Sequence, residues 1–222
     1  MDSGNIGFVL LCAAFVFVMT PGLAMFYGGL VRKKNVVNTM MTSIFIIGVG
    51  IVMWVLFGYS LSFAPSGNAF IGDFRWLGLE GVSLTEGYTD DASIPNMVFS
   101  AFQMMFAVIT PALITGAVAG RMKFKSIFVF TIFWSLIVYY PLAHMVWGQG
   151  GLLGADGIGA LDFAGGDVVH ISSGVSALVL CILLGKRHDY EHSIYRIHNI
   201  PTVVLGASLL MFGWFGFNAG SA

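Results

Sequence analysis

Charged residues divide this chain into six long uncharged stretches, and their spacing constrains the fold more than any other feature. The stretches contain 29, 38, 29, 30, 18 and 26 residues, and a helix needs about 20 apolar residues to cross a bilayer. Only 9% of the residues are charged and 57% are hydrophobic. A soluble domain, which carries roughly 25% charged residues, is therefore excluded. The spacing predicts an all-α, polytopic membrane helix bundle embedded in a lipid bilayer.

We expect six transmembrane helices in one membrane domain, residues 1–222, and the charges of their connections predict the orientation. The connections after the first, third and fifth helices hold nine of the ten basic residues. The N-terminus and the other two connections hold nine of the eleven acids. Because basic loops remain in the cytoplasm, the N-terminus is predicted to lie outside the cell membrane. The helices are predicted at residues 6–31, 40–63, 94–120, 126–146, 163–185 and 201–222.

Composition also argues against several other classes of protein. The net charge of −1 provides no basic surface for a nucleic acid. Cys12 and Cys181 lie far apart in apolar runs, and they indicate neither a disulfide nor a metal site. The N-terminal segment lacks positive charges, so the first apolar run is interpreted as a permanent span and not as a signal peptide. Neither a metal nor a cofactor is expected.

Small residues at helical spacing predict where helices approach closely. Gly116 with Gly120, and Gly216 with Gly220, form two G-x-x-x-G patterns, and Gly174 lies on a small face of the fifth helix. Such faces let backbones come together in lipid. The alternative is that glycine is simply frequent in membrane helices.

Two histidines and two aspartates lie at or near membrane depth, where ionisable groups are usually functional. His170, inside the fifth helix, is interpreted as a pore-lining group, with a hydrogen-bonded packing role as the alternative. For His144, among aromatic residues near the interface, a half-hydrated packing role is favoured. Asp162 is expected to cap the fifth helix or to attract a cation, and Asp167 fits either role.

Helical spacing also places aromatic residues from several helices at shared depths. Phe102 and Phe106 are four residues apart and lie on one face. Aromatic faces beside a hydroxyl suit a small cation, and two Phe rings below them would exclude water. The alternative is an aromatic belt with ordinary core packing. The predicted levels, from outside inward, are Trp147, Phe102 and Ser221, then Phe106 and Phe217, then Trp214 and His170.

Four long motifs, at residues 21–32, 143–148, 161–174 and 213–222, resemble those of the ammonium transporter family (the Amt/Mep/Rh superfamily), and its Amt branch more than its Rh branch. The resemblance implies an external ammonium recruitment site of Trp147, Phe102 and Ser221. It implies a gate of Phe106 and Phe217, a pore containing His170 and Trp214, and a structural or proton-handling role for Asp162.

The same resemblance implies an architecture and partners. Members of the family usually have eleven helices, built as two inverted five-helix repeats plus a last helix. The chain would then hold the first repeat and one further helix of a longer protein, and the second pore histidine would lie outside it. The resemblance also implies a homotrimer with one pore per subunit, and a cytoplasmic PII-type protein as a regulatory partner.

The function implied is conduction of ammonium or ammonia, without enzymatic activity. The first alternative is an ammonium-sensing membrane domain fused to a signalling output. An intramembrane hydrolase would need a serine held by a histidine, but Ser172 and Ser173 are only two and three residues from His170 and point away from it on a helix. A purely structural membrane subunit would not explain the converging aromatic residues.

Overall fold

The structure, a computed structural model, describes residues 1–65, 67–155, 157–187, 190 and 194–222. In this part of the chain it is all-helical, and six helices are long and apolar enough to cross a membrane. We number them in chain order: α1 Ser3–Leu30, α2 Lys33–Phe63, α3 Asn96–Val118, α4 Phe124–Trp147, α5 Gly166–Leu184 and α6 Ile200–Ser221. The predicted fold class and the predicted number of spans are confirmed.

Three helices begin three or more residues from the predicted position, each for a local reason. The first helix begins at Ser3 because the carboxylate of Asp2 accepts the backbone N–H of Asn5 and caps it. The second begins earlier because a 3₁₀ turn, Lys33–Asn35, precedes the apolar run. The fifth begins three residues later, since the chain reaches Gly165 in a left-handed conformation.

The connections gather at two ends of the bundle, as the charge pattern predicts. At one end the backbone N–H of Asp2 donates to the carbonyl of Ser93, which ties the N-terminus to the second connection. At the other end the N–H of His198 donates to the carbonyl of Val31, which ties the fifth connection to the first. We call these the acidic end and the basic end. The Arg121 guanidinium, in the third connection, donates to the carbonyl of Gly185 at the start of the fifth, so the basic residues of the first, third and fifth connections share one end.

Arg75 is the exception to this charge separation, because it lies in the second connection. Its guanidinium contacts the carboxylate of Asp73 at 2.7 Å, and the hydrogen bond from Arg75 lowers the pKa of the Asp73 carboxyl. The pair has no net charge, so it leaves the asymmetry intact. Asp156, which the sequence also assigns to the acidic end, lies outside the described residues.

Glycines allow α6 to pack directly on α1. A Cβ atom at Gly206 would lie 2.3 Å from the backbone nitrogen of Phe26, and one at Gly216 would lie 2.7 Å from the carbonyl oxygen of Cys12. Any side chain there would collide with backbone. The helix pair therefore depends on close backbone approach, as expected where lipid removes the hydrophobic drive for association.

The helix faces of small residues predicted from the sequence differ in what they contact. Gly116 packs against the ring of Tyr27 and Gly220 against the ring of Phe102, so both glycines admit an aromatic ring from a neighbouring helix. Pairing Gly116 with Gly120 on one helix face was wrong, because α3 ends at Val118 and Gly120 has a φ of +72°. Gly174 has no atom within 4 Å of its would-be Cβ, so this face of α5 is unused in the described chain.

Candidate functional site

An open cavity of about 870 Å³ lies at the acidic end of the bundle. Its walls come from the start of α1, from α3, from the ends of α4 and α6, and from the segments that precede α3 and α5. Five of the residues that the sequence singles out line it: Phe102, Phe106, Trp147, Asp162 and Ser221. The helix order places these residues together because α4 and α6 both end where α3 and α5 begin.

Phe106 is the centre of the aromatic cluster below the cavity. Its ring centroid lies 4.9 Å from that of Phe102, 6.1 Å from that of Trp147 and 4.4 Å from that of Phe217. Phe106 and Phe217 are only 1% and 2% exposed. The two buried rings pack against each other at the cavity floor, and we call this pair the plug.

His170 and Trp214 continue the cluster beyond this plug. The His170 ring lies 5.9 Å from Phe217 and stacks on Trp214 at 5.5 Å with an interplanar angle of 21°. His170 is exposed in the described chain and Trp214 is 42% exposed. We define the aromatic column as Phe102, Phe106, Phe217, His170 and Trp214, in which each ring contacts the next.

A π-turn at the start of α5 orients the His170 ring. The carbonyl of Gly165 accepts the backbone N–H of His170 at 2.9 Å, and His170 Nδ1 lies 2.8 Å from the same oxygen. A carbonyl only accepts hydrogen bonds, so Nδ1 carries a hydrogen, and in the neutral ring Nε2 keeps a free lone pair. Gly165 has a φ of +103°, a conformation that strongly favours glycine.

Asp162 organises the turn that leads into α5. Its two carboxylate oxygens accept the backbone N–H groups of Gly165, Gly166, Asp167 and Val168. Its own carbonyl accepts the indole N–H of Trp147 at 3.0 Å. These contacts favour the capping interpretation of Asp162, because the carboxylate oxygens are already occupied by N–H donors.

The polar groups around the cavity differ in whether they keep a hydrogen-bond acceptor available. The Ser221 hydroxyl donates to the carbonyl of Phe217 at 2.9 Å, so its oxygen lone pairs remain available as acceptors. The phenol of Tyr88 accepts the backbone N–H of Gln149, and burial raises the pKa of Tyr88 to about 12. Tyr88 is thus a neutral wall residue that no pattern in the sequence singles out.

His144 is a structural residue, although the predicted half-hydrated environment is wrong. The side chain is 0% exposed, because α2 and the chain that follows it cover the ring. Its two ring nitrogens lie 3.1 Å from the carbonyl oxygen of Ser62 and 2.8 Å from that of Asn68. His144 therefore links the end of α2 to α4 one turn before Trp147.

The serines that follow His170 give no support to a hydrolase. The hydroxyls of Ser172, Ser173 and Ser176 donate to backbone carbonyls of the preceding turn. Hydroxyls that donate to the backbone of their own helix are already paired and are not held by a base.

The comparisons with known proteins agree on one family. The model of the Ammonium Transporter Family matches residues 7–222. An ammonium transporter of Bacillus subtilis is 53% identical over all 222 residues of the chain, which cover 53% of that relative. The crystal structure of Saccharomyces cerevisiae Mep2 superposes with a TM-score of 0.87 at 37% identity and covers the whole chain and 49% of its own.

A solved structure described as a sensor Amt protein also matches, with a TM-score of 0.83 and 30% identity over 98% of this chain and 54% of its own. The chain spans about half the length of the curated relatives it matches. Together with its six apolar helices, these matches identify a multi-pass membrane protein. The chain belongs to the ammonium transporter family.

Proposed function

We propose that this protein conducts ammonium or ammonia across a cell membrane through a path that follows the aromatic column. Ammonium enters the cavity, releases a proton to the water of the open cavity above the plug of Phe106 and Phe217, and continues as ammonia past His170. The observation that carries the proposal is the order of the groups: an open cavity, then two buried rings, then an imidazole.

Recruitment would depend on Trp147, Phe102 and Ser221. A cation over an aromatic face gains about 0.5–2 kcal/mol, and the Ser221 oxygen can accept one N–H bond. Phe102 is 3% exposed and packs on Gly220, so Trp147 offers the more accessible ring. Asp162 would contribute by holding Trp147 in place, since its backbone carbonyl accepts the Trp147 indole N–H.

Selectivity would arise at the plug. Ammonium and potassium are close in size, so a rigid sieve separates them poorly. Desolvation between Phe106 and Phe217 disfavours any charged species. Ammonium can pass by releasing a proton, whereas potassium has no neutral form.

His170 would then guide the neutral molecule. Its Nε2 lone pair can accept an N–H bond from ammonia, and a neutral imidazole does not repel an incoming cation. This role needs a wall opposite His170, which the described residues do not supply.

Flux measurements in vesicles test the proposal directly. The intact protein should carry ammonium and exclude potassium, and Phe106→Ala with Phe217→Ala together should admit water and ions. Purified protein that binds ammonium but carries no flux would contradict transport.

That outcome would instead favour a sensor, the second candidate function. The match to a sensor Amt protein supports it, and the same recruitment site would serve both functions. A signalling domain in the intact protein, with ligand-dependent output, would distinguish sensing from transport.

Assembly and orientation complete the proposal. We expect a homotrimer with one pore per subunit and a PII-type protein at the basic end, which would face the cytoplasm. Native mass spectrometry in detergent tests the trimer, and a stable monomer or dimer would contradict it. Cysteines placed at Asp90 and Lys186 should be labelled from opposite sides, and labelling from one side would refute the topology.

A further inference from the structure

Gln103 carries an unexplained polar group at the cavity. It follows Phe102 on α3, three residues before Phe106, and it lines the cavity wall. Its amide oxygen is shielded from solvent and has no hydrogen-bond partner. Within the described part of the chain, the other residues with such unpartnered buried atoms do not line this cavity.

A buried amide oxygen without a donor costs free energy, and a well-formed protein retains one where a ligand, ion or water completes it. Four other polar residues, Asn5, Thr89, Asp91 and Ser93, line the cavity but are exposed to solvent, and the residues assigned to recruitment offer few free acceptors. The Asp162 carboxylate already accepts four N–H bonds, and the Trp147 indole can only donate. Ser221 supplies one hydroxyl oxygen. Ammonium has four N–H donors, so the site as first described leaves most of them unpaired.

We propose that the Gln103 amide oxygen is a second hydrogen-bond acceptor for ammonium in this cavity. The inference rests on the proposed function, because it adds a binding residue to the same recruitment site. The last torsion of glutamine is broad and roughly two-fold, so the amide can turn its oxygen toward an ion that enters. Gln103 then contributes affinity, and the plug below it contributes selectivity.

The chain contains two glutamines, which provides a matched control. Gln149 is exposed, its amide N–H donates to the carbonyl of Tyr88 at 2.9 Å, and it does not line the cavity. The experiment compares Gln103→Met, Gln103→Glu and Gln149→Met in the intact protein. Uptake is measured in vesicles as a function of ammonium concentration, with thermal unfolding recorded for each variant.

Gln103→Met removes the acceptor at nearly constant shape and should raise the half-saturating ammonium concentration about tenfold, with the maximal flux unchanged. Gln103→Glu keeps an acceptor oxygen and should keep or lower that concentration, and Gln149→Met should match the parent. An unchanged half-saturation in Gln103→Met overturns the inference and assigns the amide to packing or to a bound water. If Gln103→Met fails to fold, the isosteric variant Gln103→Glu provides the test. A higher half-saturating ammonium concentration in Gln103→Glu than in the parent then overturns the inference.

The results that would overturn the role of Gln103 can be distinguished from those that would refute the proposed function. A parent protein that neither binds nor carries ammonium refutes the function itself. A parent that carries ammonium, and is weakened by Trp147→Ala but not by Gln103→Met, refutes only the role of Gln103.

Discussion

The aromatic column has a sealed half and an open half. Phe106 and Phe217, from α3 and α6, are 1% and 2% exposed, whereas Trp214, one turn away on α6, is 42% exposed beside an exposed His170. The plug is therefore completed by contacts within the described chain. The imidazole level has a wall on one side only.

The two halves of the aromatic column are therefore held in place by different interactions. Around the plug, α3 and α6 meet where the Phe102 ring packs on Gly220 and where the rings of Phe106 and Phe217 contact each other. Around His170, orientation comes from one carbonyl, that of Gly165, and from one stacked ring. The sealed half should depend on packing, and the open half on hydrogen bonds and on whatever faces it in the intact protein.

The largest expected effect is on stability, and it tests the sealed half. Phe217→Ala removes a fully buried ring and should lower the free energy of unfolding by about 3 kcal/mol. Phe215, two residues away on α6, is 71% exposed, so Phe215→Ala should change it by less than about 0.5 kcal/mol. Unfolding in detergent measures both. If Phe215→Ala lowers the free energy of unfolding as much as Phe217→Ala does, the face of α6 that carries Phe215 is covered in the intact protein.

The next effect concerns the entrance to α5. Asp162→Asn replaces one acceptor oxygen with an N–H₂ group, which would face backbone N–H donors. We expect a loss of about 2 kcal/mol in stability and faster hydrogen exchange at the amides of residues 165–168. Asp167→Asn is the control, because Asp167 joins this turn through its backbone N–H. Equal protection in Asp162→Asn and the parent would contradict the cap.

The sequence predicts the sealed half better than the open half, for physical reasons. Charge spacing defines six spans because lipid excludes charge, and spacing along α3 and α6 then fixes the levels of Phe106 and Phe217. Local backbone geometry is different. The left-handed turn at Gly165, the contacts of His144 with two carbonyls and the unpaired amide oxygen of Gln103 depend on which segments meet in space. No periodicity along the chain encodes these contacts between distant segments.

A third effect concerns selectivity in the open half. His170→Glu places a carboxylate at the depth of the imidazole, where it can hold a cation without deprotonating it. We expect potassium flux to rise about tenfold or more relative to ammonium, because the carboxylate offsets part of the desolvation cost that a cation meets on passing the plug. His198→Glu at the basic end is the control, because His198 is exposed and outside the aromatic column. Full ammonium transport with potassium still excluded would return His170 to a packing role.

The smallest effect concerns recruitment at the cavity. Ser221→Ala removes one acceptor oxygen, worth about 1 kcal/mol, and should raise the half-saturating ammonium concentration about fivefold with maximal flux unchanged. Ser208 lies on the same helix, and its hydroxyl donates to the carbonyl four residues earlier, as that of Ser221 does. It does not line the cavity, so Ser208→Ala should match the parent. Because the two serines share the same helical hydrogen bond, any difference between their variants reports the cavity alone. If both variants weaken ammonium uptake equally, the hydroxyl acts through the helix, and recruitment rests on Trp147 and its neighbouring rings.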